Sequence, residues 1–84
     1  MGLDVRVDGP VTLERLRWPI VMIDGALVAP GAAVPDGWRE LRLRTPAGMV
    51  TIARDAGGVR VVVFGNADAG LVAMQKQVAE ALTR

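Results

Sequence analysis

Leu3, Val5 and Val7 alternate with Asp4, Arg6 and Asp8, a period of two that predicts a strand with one wet face. Asp8-Gly9-Pro10 ends it. Residues 11–17 are open between helix and strand. Pro10 at a first helical position, Leu13 and Leu16 three apart, and Glu14 with Arg17 favour a short helix there. Trp18 precedes Pro19, which holds it extended and stops any helix. The apolar runs 20–23 and 26–29 flank Asp24-Gly25, the dipeptide of a type I′ hairpin turn. Both runs are apolar at successive positions, which predicts burial on both faces.

A loop over 30–37, built on Pro-Gly and Pro-Asp-Gly, leads into three further strands at 38–45, 49–54 and 59–64. Their links, Pro46-Ala47-Gly48 and Asp55-Ala56-Gly57-Gly58, are rich in residues that tolerate tight turns. About the last eighteen residues read as one helix, with Leu71, Met74, Val78, Ala81 and Leu82 at three-four spacing. Gln75, Lys76, Glu80 and Thr83 are assigned to its other faces. Asn66 or Asp68 suits its start and Arg84 its end. The expectation is one α+β domain over residues 1–84. It has an antiparallel meander of five to six strands and a C-terminal helix packed on one face.

Phasing the last three strands divides them into two faces. Leu41, Leu43, Val50, Ile52, Val59, Val61 and Val63 share one, the natural seat of the helix. The other carries Glu40, Arg42, Arg44, Met49, Thr51, Ala53, Arg60, Val62 and Phe64. An apolar centre with an arginine rim has the anatomy of a protein–protein contact. The candidate interaction surface is therefore Arg42, Arg44, Met49, Arg60, Val62 and Phe64. Two things would cancel it: other segments folding over that face, or a bulge at Gly48 or Gly57-Gly58 that swaps the faces.

Composition narrows the chemistry. The 84 residues include no histidine, cysteine or tyrosine, the side chains that carry most proton shuttling, nucleophilic attack and transition-metal ligation. Neither a disulfide nor a zinc site is expected. With 51% hydrophobic residues and ten glycines in so short a chain, association with another chain is the expected stabilising device. The net charge of +1 gives no strong field toward nucleic acid or acidic membrane.

Met1-Gly2-Leu3-Asp4 lacks the basic start and apolar run of a signal peptide, and the run 19–23 is too short to span a bilayer. The expected setting is a bacterial-type cytoplasm.

Three local patterns bear on chemistry. Gly65 and Gly70 fall at the spacing of a phosphate-binding loop. Leu71 and Val72, however, stand where Lys and Ser or Thr are needed, so a helix cap is the better assignment. The aspartates sit at turns and ends, where they bond local backbone, and no pair is spaced for an acid–base dyad. Arg39, Arg42, Arg44, Arg54 and Arg60, with Trp38 or Phe64 for stacking, offer a nucleic-acid alternative.

The stretch 43–50, Leu-Arg-Thr-Pro-Ala-Gly-Met-Val, resembles the Thr-Pro-Ala-Gly hairpin of proline racemase and diaminopimelate epimerase-like proteins. The resemblance implies a hairpin turn at 45–48. Those enzymes act with paired cysteines, which this chain lacks, so it implies no activity here. The sequence thus points to a non-enzymatic interaction or assembly module without cofactor, a homodimer or a subunit of a larger complex.

Overall fold

The computed structural model describes residues 3–64 and 68–83. Its six strands are β1 (Leu3–Asp8), β2 (Ile20–Ile23), β3 (Ala26–Leu27), β4 (Glu40–Thr45), β5 (Gly48–Asp55) and β6 (Gly58–Val63), followed by helix α1 (Ala69–Leu82). They form one sheet in the order β1-β6-β5-β4-β2-β3, every pair antiparallel. The α+β architecture expected from the sequence is the one observed.

The tight turns follow from their residues. Asp24 and Gly25 both adopt positive φ, 50° and 83°, the geometry that a type I′ turn demands of its two central residues. Asp24 holds the turn against β4: its carboxylate accepts from the amides of Arg39 at 2.7 Å and Glu40 at 2.9 Å. At 45–48, the Thr45 hydroxyl donates to the carbonyl of Gly48 at 2.7 Å and accepts from the amide of Ala47. The Thr-Pro-Ala-Gly segment is thus a hairpin turn.

One face of the sheet is the core. Leu41, Leu43, Val50, Ile52, Val59, Val61 and Val63 are all essentially inaccessible, as their alternation predicts. Helix α1 lies on β6, β1 and β5 and adds Val78, Ala79 and Leu82 to that core. Full burial of each large apolar side chain contributes about 1.5–3 kcal/mol. The Asp68 carboxylate caps the helix by accepting from the amide of Leu71 at 2.8 Å. The alternative caps, Asn66 at the start and Arg84 at the end, lie outside the described residues.

Three local expectations are corrected. Residues 11–17 form no helix; a single turn closes with the amide of Leu16 on the carbonyl of Leu13. A segment this short gains little from helical bonds after nucleation, whereas extended it carries the chain from β1 at one edge toward β2 beyond β4. Along the way Val11, Leu13, Leu16 and Trp18 pack against the core, and the amide of Thr12 bonds the carbonyl of Leu82.

The second correction concerns β3, which is two residues long and a sheet edge. Leu27 is 81% exposed and not buried on both faces. The third concerns Gln75, assigned to an outer face but buried at 2% exposure. The register of the meander, by contrast, is the one the phasing assumes: β4, β5 and β6 pair without interruption through Gly48 and Gly57-Gly58. The irregularity falls in β2 between Ile20 and Met22. The two faces therefore stay as phased.

Candidate functional site: the open face of the sheet

Antiparallel pairing places the outward residues of β4, β5, β6 and β1 in rows. Arg42 pairs with Thr51, Thr51 with Val62, and Val62 with Asp4. One step along, Glu40 pairs with Ala53, Ala53 with Arg60, and Arg60 with Arg6. A third row begins with Arg44 beside Met49, and Phe64 continues β6 at its level. Met22 extends the first row beside Arg42, with Leu27 beyond it. All six candidate residues, Arg42, Arg44, Met49, Arg60, Val62 and Phe64, therefore share one face.

That face is not roofed by other described segments. A shallow depression in it is lined by Asp4, Glu40, Thr51, Ala53, Arg60, Val62 and Phe64, all from the strands or the residue just after β6. Phe64 is 62% and Met49 39% exposed. The segments that were candidates to cover it go elsewhere. β1 joins the sheet as its edge strand, and Val34 of the 30–37 loop packs against the core. Thr51, between Arg42 and Val62 in the first row, is nonetheless 3% exposed.

Charge on the face is balanced and ordered. Arg6 bonds the carboxylate of Asp55 at 2.6 Å, Asp8 at 2.7 Å and the carbonyl of Ala56 at 2.9 Å. Hydrogen bonds to Asp55 first, and then to Asp8, raise its pKa above the ordinary guanidinium value. Arg60 lies 3.7 Å from Asp4 and 3.6 Å from Asp55, and Arg42 bonds Glu40 at 3.2 Å. Four arginines (6, 42, 44, 60) thus face four carboxylates (Asp4, Asp8, Glu40, Asp55), and the face carries no net charge. The β4 side, with Arg42 and Arg44 against Glu40, is positive. The β1 side, with three aspartates against Arg6 and Arg60, is negative.

The remaining meander arginines are placed differently. Arg54 projects to the other side, where its guanidinium stacks 4.2 Å from the ring centroid of Trp38 and donates to the carbonyl of Asp36. Trp38 is 4% exposed, so it offers no surface for a base. Arg39 lies with Asp24, Gly25 and Glu40 at the hairpin end of the sheet.

A second concavity was not expected from the sequence. Arg15, Arg17 and Trp18 line a groove of about 370 Å³ with Gln77, Glu80 and Ala81 of α1. It arises because the 11–18 segment runs past the end of the helix, a tertiary approach with no local signature.

Among the described residues no three potential metal ligands come together, and no helix is long and apolar enough to cross a membrane. No family model, curated protein or solved structure matches this chain.

Proposed function

We propose that the chain is a small non-enzymatic interaction module that assembles with protein through the open face of its sheet. The carrying observation is the exposure of Phe64 and Met49 on a sheet whose other face is a closed core. Buried apolar centres ringed by arginine are the usual make-up of protein contacts. Here Met49, Val62 and Phe64 supply the apolar area, while Arg42, Arg44, Arg60 and Glu40 fix orientation. The carboxylates of the face are engaged with arginines and not held apart in a cleft, which favours recognition over acid–base chemistry.

The test is native mass measurement of the tagged chain isolated from its own cells, beside the Phe64→Asp and Val62→Asp variants. The wild-type chain is expected above single-chain mass, and both variants at single-chain mass with unchanged circular dichroism. A wild-type chain found alone, or variants that retain its company, would overturn the proposal.

A further inference from the structure

The charge order of the open face fits a particular occupant. We infer that this occupant is a second copy of the chain, stacked face to face about a two-fold axis that runs parallel to the strands between β5 and β6. This deepens the docking proposal above and rests on it.

The inference follows from the rows. A two-fold axis in that position lays β5 over the partner copy's β6 and β4 over its β1, and it keeps each row on itself. In the first row, Arg42 then meets the Asp4 of the other copy and Thr51 meets its Val62. In the second, Glu40 meets Arg6. In the third, Met49 meets Phe64, a thioether against an aromatic ring. Each contact occurs twice. Opposite charges therefore face each other at both flanks, while at the middle Thr51, Val62, Met49 and Phe64 meet and Arg60 lies over the small Ala53.

The strands of the two sheets run in nearly the same line, the aligned packing of β-sandwiches, at about 10 Å separation. Shifting the axis onto β4, or turning it across the strands through the first row, sets Arg42 against Arg42. The area is sufficient but modest. Four overlapping strands at about 4.8 Å spacing and about 20 Å length cover on the order of 400 Å² in plan. With side-chain relief this reaches the lower end of specific interfaces, which bury roughly 600 Å² on each partner.

Light scattering on the purified chain, from about 1 µM to several hundred µM, gives the first readout: the mass should rise from 8.9 kDa toward twice that. Arg42→Asp and Asp4→Arg are then prepared as separate chains. Each alone sets like charges together at both flanks and should weaken self-association about tenfold or more. Mixed in equal amounts, they restore both attractive pairs between unlike copies, and the dimer should reappear as a heterodimer. Repacking within one chain cannot produce that rescue.

A wild-type mass of one chain at every concentration, or a mixture no more associated than its components, would overturn the self-pairing. The docking reading would survive that result if the chain from its own cells still carried another protein sensitive to Phe64→Asp.

Discussion

The side-chain amide of Gln75 donates to the backbone carbonyl of Val61 across 2.8 Å, joining α1 to β6 inside the core. Both residues are essentially inaccessible. Gln75→Leu keeps the volume but removes this buried hydrogen bond, at a cost of about 0.5–1.5 kcal/mol. Thermal unfolding should fall by several degrees, at roughly 4–8 °C per kcal/mol for a domain of this size. Gln75→Glu should be worse at neutral pH, because an ionised carboxylate would face a carbonyl in a dry site. Its deficit should narrow on acidification, as a protonated carboxyl can donate. Melting curves at pH 7 and pH 4 distinguish the two variants; equal melting temperatures for all three chains at pH 7 would refute the role.

Acid should loosen the hairpin 20–27. The Asp24 carboxylate is held below its ordinary pKa, first by the Glu40 amide and then by the Arg39 amide. A depressed native pKa contributes stability that is whole above the unfolded value, near 3.9, and is lost as pH falls through the native one. Stability should therefore decline below about pH 4, and Asp24→Asn should flatten that limb. Asparagine tolerates the positive φ and does not titrate. Denaturant midpoints across pH 2–6 for the two chains provide the check.

Two adjacent glycines should respond differently to alanine. A Cβ at Gly57 would meet open space but sit at φ 81°, a left-handed conformation costing roughly 1–2 kcal/mol. A Cβ at Gly58 would collide with the backbone carbonyl of Val7. Backbone cannot step aside as a flexible side chain can, so Gly58→Ala should part β1 from β6. The expected loss is larger than at Gly57, and amide exchange should quicken selectively in residues 3–8. Similar losses at both sites would contradict the close approach.

Nucleic acid should bind weakly or not at all. Arg42 and Arg60 are shared with Glu40, Asp4 and Asp55, and Trp38 is sealed beneath Arg54. Fluorescence anisotropy with mixed-sequence single-stranded DNA and RNA at low salt should show no salt-sensitive binding. A steep inverse dependence on salt, reduced by Arg44→Ala, would instead favour phosphate recognition.

The two faces of β4, β5 and β6 were legible because alternation between glycine-bearing turns leaves one phasing that buries every leucine and isoleucine and every valine but Val62. Gln75 was misassigned by chemical type, although its spacing carried the signal. Leu71, Gln75, Val78 and Leu82 step by four, three and four along one helical stripe, so position outweighed polarity. The 11–17 segment misled for the opposite reason. Its local helix signals were genuine but too few to offset nucleation, and its apolar residues serve a core assembled by distant strands. The neutralisation of the open-face charges was also hidden, because Arg6 and Asp55 are 49 residues apart and meet only through β6.

The pairing of β1 with β6 has a consequence for how the chain is made. Among the described strands, translation delivers residues 3–8 before the rest, yet their neighbour in the sheet is the strand that emerges after the other five. Local hairpins such as 40–55 can close while elongation continues, but the leading strand must wait, since non-local pairings are the slow ones. A nascent chain stalled before residue 58 would hold that strand unsatisfied, and this interval is when it is most open to chaperones, proteases or a neighbouring nascent copy.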